Sequence, residues 1–172
     1  MSKENWNRPI KVSFIGSGED KQGLIDLANL LNSDNHEFLP YQDDVERLWD
    51  DYHALILPSR FEGSPLVLLE AMSLGRTSIV STAGGMPELI SDGETGFIGQ
   101  ANETEFEYAM ERAWEARDRW PEIGVTAHQK ITTILPESPE QVFAEKVHQS
   151  IHEKNETLTV IIPTYNRSKI LK

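Results

Sequence analysis

Hydrophobic and polar residues alternate between two periodicities along the first 100 positions of the chain. Continuous apolar runs, which are typical of buried strands, occur at residues 10–15, 36–39, 54–57 and 77–81. Segments with apolar residues at helical spacing lie between them, at residues 20–31, 43–52, 65–74 and 87–90. Short loops join the two kinds of segment. This alternation predicts an α/β fold in which helices cover both faces of a parallel sheet.

Beyond Gly99 only helical periodicity remains, over about residues 103–119, 121–134 and 139–153. Residues 157–163 (TLTVIIP) then carry a strong strand signal shortly before Lys172, the last residue. We therefore expect one folded domain over residues 1–153, and a linker with the truncated first strand of a second domain over residues 154–172. That strand has three possible fates: disorder, addition to a sheet edge, or pairing with its copy in a tail-mediated dimer.

Composition and charge narrow the class of protein. Hydrophobic residues make up 38% of the chain, as in ordinary globular proteins, and no apolar run reaches the roughly 20 residues of a membrane-spanning helix. The polar N-terminus lacks a signal-peptide core, so we expect a cytoplasmic location. The absence of cysteine excludes disulfides and thiolate chemistry. A net charge of −12 argues against nucleic acid and anionic membranes as partners of these residues.

Ligands of open parallel sheets bind at the carboxyl ends of the strands. The predicted strand ends carry loops at residues 16–18, 40–42, 59–65 and 82–85. Gly16 and Tyr41 are therefore candidate residues of a ligand site, although Gly16-Ser17-Gly18 lacks the full dinucleotide-binding fingerprint.

Residues 60–75 (RFEGSPLVLLEAMSLG) contain the richest candidate chemistry. Glu62 lies in the loop after a strand, and Glu70 lies about a turn and a half inside the next helix. The backbone amides of residues 66–68 lack intrahelical acceptors, so together with the helix dipole they suit a diphosphate. Glu70 then suits two adjacent ribose hydroxyls, and Glu62 suits hydroxyls of the group that the phosphate carries.

Each of these residues also has a simpler interpretation. Glu62 is also a candidate helix cap, and Glu70 a candidate solvated helix residue. Arg60 is a candidate phosphate ligand, but a solvated arginine at a loop edge is the simpler explanation. His148 and His152 have the spacing of a metal-binding pair, yet no third ligand is near them in sequence, so we predict no metal site.

Residues 58–98 (PSRFEGSPLVLLEAMSLGRTSIVSTAGGMPELISDGETGFI) resemble the signature stretch of the nucleotide-sugar-dependent glycosyltransferases of family four. These enzymes have two Rossmann-like domains in a B-type fold, and the likeness over about residues 9–151 is to the C-terminal, donor-binding half. The resemblance implies that Glu70 binds the donor ribose and that Glu62, the catalytic candidate, contacts the donor sugar. It adds further donor-binding candidates: Gly63, Ser64, Leu66, Val67, Gly84 and Gly85. It also implies transfer with retention of anomeric configuration, without a metal or other cofactor.

Two departures from the family pattern qualify this expectation. Pro65 stands where many members have glycine, so one amide donor is absent and Leu66 and Val67 must bind the phosphates. The family's domain also normally begins one strand and helix earlier, with an arginine and a lysine that neutralise the diphosphate. Because those residues and the N-terminal acceptor-binding domain are missing, we expect a fragment with little or no activity.

The tail LTVIIPTYNR (residues 158–167) resembles the first strand of the A-type glycosyltransferases of family two. This resemblance implies a tandem enzyme with two transferase modules, as expected in bacterial polysaccharide biosynthesis. The full-length protein would then work in the cytoplasm, at the inner face of the membrane.

The sequence thus predicts transfer of a sugar from a nucleoside-diphosphate sugar to a glycan or lipid-linked acceptor. Two alternatives stay open. One is a nucleotide-sugar epimerase of the same fold, which the paired glutamates disfavour. The other is a non-catalytic nucleotide-binding or docking domain, which Glu62 and Glu70 also disfavour and which the missing basic residues keep open.

Overall fold

The computed structural model describes residues 8–31, 35–42, 44–136 and 138–154. Its strands are β1 (Val12–Ile15), β2 (His36–Leu39), β3 (Ala54–Leu57), β4 (Thr77–Ser81) and β5 (Phe97–Gly99). Its α-helices are α1 (Lys21–Leu30), α2 (Val45–Asp50), α3 (Leu66–Ser73), α4 (Met86–Leu89), α5 (Glu103–Glu115), α6 (Trp120–Ile134) and α7 (Pro139–Lys154). A 3-10 turn at Arg117–Arg119 joins α5 to α6.

The predicted alternation of strands and helices is confirmed. The strands β2, β3 and β4 have the predicted bounds, and the helices agree within a few residues. The predicted helix at residues 103–119 ends as an α-helix at Glu115 and continues as the 3-10 turn. The sequence analysis missed β5, because three residues next to Gly96 are too few to show a strand periodicity. The predicted strand at residues 157–163 lies outside the described residues.

The described strands form two parallel sheets, a division that the sequence pattern did not reveal. β1 pairs with β2 in parallel, with Val12 opposite His36. The order in the other sheet is β3-β4-β5, also parallel, with Ala54 opposite Thr77. Because parallel strands share a direction, the carboxyl ends of β3 and β4 lie side by side at one edge of this sheet.

Helices cover both faces of the three-stranded sheet, as predicted. One face packs with α3 and α6 in a cluster that includes Leu68, Met72, Val80, Met86, Ala127 and Ile131. The other face packs with α5 in a cluster that includes Ile79, Phe97, Phe106, Ala109 and Ala113. All five residues of the central strand β4 are buried. Each large apolar side chain that is fully buried here stabilises the fold by roughly 1.5–3 kcal/mol. The loop after β4 therefore follows a well-packed strand.

The helix α6 packs against the loop after α3 by direct backbone contact. Gly124 of α6 is buried, and a Cβ built on it would overlap the carbonyl oxygen of Gly75. The ring nitrogen Nδ1 of His128 lies 2.6 Å from the carbonyl oxygen of Ser73, one helical turn further along. The close approach of α6 to this loop therefore depends on glycine at position 124.

The two-stranded sheet is much less covered. No residue of α1 is buried, and Phe14 of β1 is 42% exposed. An ion pair of 2.7 Å between Lys11 and Glu37 links the ends of its strands. The hydrogen bonds from Lys11 and from Ser13 hold the pKa of Glu37 below its usual value, and the contact with Glu37 raises the pKa of Lys11. No helix in the described part of the chain is long and apolar enough to cross a membrane.

Candidate functional site

The loop after β3 carries Glu62 in a half-buried position at the edge of the sheet. The Ser59 hydroxyl donates a hydrogen bond of 2.7 Å to Glu62 Oε1. The carbonyl oxygen of Ser59 in turn accepts a hydrogen bond of 2.5 Å from the Ser81 hydroxyl at the end of β4. The carboxylate of Glu62 is therefore held by its own loop, and that loop is held by the neighbouring strand.

The loop after β4 packs directly on the loop that carries Glu62. The Gly85 amide donates a hydrogen bond of 2.8 Å to the carbonyl oxygen of Gly63. Gly84 has a φ of +58°, and a Cβ at this position would overlap the carbonyl oxygens of Glu62 and Gly63. The positive φ and the lack of room for a Cβ both require glycine at position 84. The structure thus brings together four predicted site residues: Glu62, Gly63, Gly84 and Gly85.

The helix α3 begins beside these loops with two amides that have no hydrogen-bond partner among the described residues, those of Leu66 and Val67. The third amide predicted to be free is not, because the Leu68 amide donates a hydrogen bond of 3.1 Å to the carbonyl oxygen of Pro65. Pro65 is the buried N-cap residue, has an extended ψ of 119°, and makes no side-chain cap. Glu62 therefore does not cap this helix: its Oε1 bonds to Ser59.

Glu70 and Ser64 lie on either side of this helix start. Glu70 is half-buried in the second turn of α3, and its neighbours Ala71 and Met72 are buried in the core. Both interpretations of Glu70, as a ribose ligand and as a solvated helix residue, stay predictions. Ser64 is exposed immediately before the helix. The prediction that the Glu62 and Glu70 carboxylates face one cleft stays a prediction.

Gly16 and Tyr41 are brought together by the two-stranded sheet. The Gly16 amide donates a hydrogen bond of 3.2 Å to the carbonyl oxygen of Leu39, and Gly16 has a φ of +133°. Tyr41 is 69% exposed two residues after β2. Both lie at strand carboxyl ends, as predicted, and their participation in one site with Glu62 stays a prediction.

A separate apolar groove of about 470 Å³ lies between the end of β3 and the start of α5. Its lining includes Pro58, Arg60, Ala101, Asn102, Phe106 and Met110. The side chain of Arg60 is 72% exposed and lies 3.8 Å from the exposed Glu103, so it is a solvated arginine at a loop edge. None of the predicted site residues lines this groove.

The sequence analysis missed one residue of the site, Ser81. Its side chain is fully buried, accepts a hydrogen bond of 3.3 Å from the Ala83 amide and donates to the carbonyl oxygen of Ser59. A serine at the end of a predicted buried strand was the available signal, because a buried polar group needs a partner. No cluster of three or more His, Cys, Asp or Glu side chains suitable for a metal occurs in the described ranges.

Parallel strands with free helix amides at their carboxyl ends define an α/β domain suited to a phosphate-bearing ligand. The family model described as Glycosyl transferases group 1 matches residues 1–124. The chain therefore belongs to this family and is a glycosyltransferase sequence.

Two relatives show how the chain compares in sequence. It is 36% identical over 145 residues to the N-acetyl-alpha-D-glucosaminyl L-malate synthase of Bacillus anthracis, covering 84% of this chain and 33% of that protein. It is 35% identical over 130 residues to the D-inositol 3-phosphate glycosyltransferase of Gordonia bronchialis, covering 70% of this chain and 28% of that protein. The chain thus spans about a third of the length of these relatives.

Solved structures share the fold. Sucrose-phosphate synthase from Thermosynechococcus elongatus superposes with a TM-score of 0.72 at 17% identity, covering 81% of this chain and 38% of that one. Anabaena HepE in complex with UDP-glucose superposes with a TM-score of 0.72 at 21% identity, covering 83% of this chain and 42% of that one. The α/β fold expected from the sequence is the fold of these solved structures.

Proposed function

We propose that this domain binds the nucleoside diphosphate of a nucleotide-sugar donor in a glycosyltransferase that acts on a glycan or lipid-linked acceptor. The observation that carries the proposal is the pair of unpartnered amides, Leu66 and Val67, beside the ordered carboxylate of Glu62. Amides at the start of a helix, aided by its dipole, bind a diphosphate without any basic side chain. That property suits a chain with a net charge of −12.

The roles proposed for the individual residues rest on the resemblance to family four and on the chemistry of their side chains and amides. The diphosphate lies against the start of α3, Glu70 holds the ribose hydroxyls, and Glu62 holds hydroxyls of the transferred sugar. Gly84 and Gly85 form the opposite side of the site, and Gly16 and Tyr41 extend it toward the base. Anabaena HepE was solved with UDP-glucose, which supports a nucleotide sugar as the ligand class. We propose retention of configuration on the resemblance to family four alone.

The test is calorimetric titration of the full-length enzyme with UDP, GDP and ADP and with their sugar conjugates. We expect tight binding of one nucleotide series and release of its diphosphate when an acceptor glycan is present. Conversion of the donor into an isomeric nucleotide sugar would instead identify an epimerase. Binding without any turnover would identify a non-catalytic domain.

A further inference from the structure

Glu62 is ordered by a hydrogen bond that uses only one of its two carboxylate oxygens. The Ser59 hydroxyl donates to Oε1 at 2.7 Å, and Oε2 has no hydrogen-bond partner in the described part of the chain. A carboxylate oxygen accepts about two hydrogen bonds, so Oε2 keeps its full capacity for ligand hydroxyls. A hydrogen bond to a charged acceptor is stronger than one between neutral groups, and it fixes the side-chain rotation.

The donor of that hydrogen bond is itself held in place. Ser59 follows Pro58, whose ring restricts the backbone, and the Ser59 carbonyl accepts a 2.5 Å hydrogen bond from Ser81. Ser81 belongs to β4, is fully buried, and is fixed by the Ala83 amide. A continuous chain of hydrogen bonds therefore runs from the core strand β4 through Ser59 to Glu62.

We infer that Ser59 is a positioning residue, which sets the orientation of the Glu62 carboxylate before the donor sugar binds. This inference rests on the proposed function, because it assumes that Glu62 contacts the sugar. The Ser59 hydroxyl donates its proton to Oε1, so it is not free to donate a hydrogen bond to a substrate. Preorganisation of this kind lowers the cost of aligning a bound group with the groups that react with it.

Ser59 should affect the alignment of the sugar but not the binding of the diphosphate. The amides of Leu66 and Val67 are placed by α3 and do not depend on the Ser59 hydroxyl. Removing that hydroxyl should therefore impair turnover and leave binding of the free nucleoside diphosphate intact. A residue that merely held the loop together would weaken both, because the loop leads directly into α3.

The test compares four variants of the full-length enzyme: Ser59→Ala, Ser59→Thr, Glu62→Ala and the double variant Ser59→Ala/Glu62→Ala. The substrate is whichever UDP, GDP or ADP sugar the wild type turns over fastest, and the matching free diphosphate is the binding probe. We expect Ser59→Ala to lower kcat/KM about tenfold, mainly through kcat. Binding of the free diphosphate should stay within about twofold, and Ser59→Thr, which keeps the hydroxyl, should retain activity within about threefold.

The double variant supplies the decisive comparison. If Ser59 acts through Glu62, removing its hydroxyl costs nothing further once Glu62 is alanine. Additive losses, failure of the threonine variant, or weaker diphosphate binding in Ser59→Ala would overturn the assignment, and so would wild-type kinetics in Ser59→Ala. The proposed function fails separately, if the wild type neither binds nor turns over any of the nucleotide sugars. Thermal unfolding of each variant checks that it is folded.

Discussion

At the scale of single residues, the two glutamates differ in what surrounds them. Glu62 lies in a loop and has one carboxylate oxygen engaged by Ser59. Glu70 lies in a helix whose neighbouring positions, Ala71 and Met72, are buried in the core. The carboxylate of Glu62 is thus oriented by one hydrogen bond, whereas the backbone of Glu70 is placed by the packing of the helix that carries it.

We therefore expect Glu70→Ala to weaken donor binding about 10- to 100-fold, because it removes hydrogen bonds from ribose hydroxyls to a charged group. Glu62→Ala should lower kcat as well, because the sugar loses its alignment. Steady-state kinetics of the intact enzyme with varied donor concentration measure both effects. Glu140→Ala, at an exposed position on α7, is the matched control and should behave like the wild type. Unchanged kinetics in both site variants would contradict the paired-glutamate proposal.

At the scale of secondary-structure elements, the contact between α6 and the loop after α3 depends on the absence of a side chain. We expect Gly124→Ala to destabilise the fold by about 1–3 kcal/mol, because the added Cβ overlaps the Gly75 carbonyl and α6 must shift. The measurement is the free energy of unfolding from denaturant titration.

Gly23→Ala provides the opposite control. Gly23 lies inside α1, and a Cβ there meets nothing within 4 Å. Alanine at a helical position should therefore stabilise the fold by roughly 0.5–1 kcal/mol. A Gly124→Ala variant as stable as Gly23→Ala would show that α6 does not pack in this position.

The elements could be predicted from the sequence because their periodicities are local, whereas the site is not local. The apolar runs located β2, β3 and β4, and the helical spacing of apolar residues located α3. The contact of Gly84 with Glu62, and the hydrogen bond from Ser81 to Ser59, join residues about 22 positions apart. No periodicity encodes such a contact: the resemblance to a family indicated Glu62 and Gly84, and only the structure showed that they touch and that Ser81 bonds to Ser59.

At the scale of the whole molecule, the chain spans about a third of the length of its relatives. We expect the 172 residues alone to bind a nucleoside diphosphate about 100-fold more weakly than the full-length enzyme. We also expect them to transfer almost no sugar. Any charge-assisted phosphate contact made by further residues of a longer enzyme would contribute roughly 1.5–3 kcal/mol. Calorimetry and a diphosphate-release assay on both polypeptides compare them, and robust turnover by the short chain would contradict this expectation.

Association of the chain is a second property of the whole molecule. We expect any dimer of the 172 residues to form through the apolar segment at 157–163, since four consecutive β-branched residues favour a strand that needs a partner. Light scattering should then give a monomer mass for a variant that ends at Glu156. A dimer that persists in this variant would place the contact elsewhere.

The contact between the loops after β3 and β4 is made by backbone atoms. The Gly85 amide bonds to the Gly63 carbonyl, and Gly84, which has no side chain, lies against the same loop. Its geometry therefore does not depend on which side chains surround it. The exposed side chains of Phe61 and Leu66 can therefore be substituted without altering this backbone contact. If the proposed function holds, the preference for a donor sugar can be changed at such exposed positions while Gly84 and Gly85 are kept.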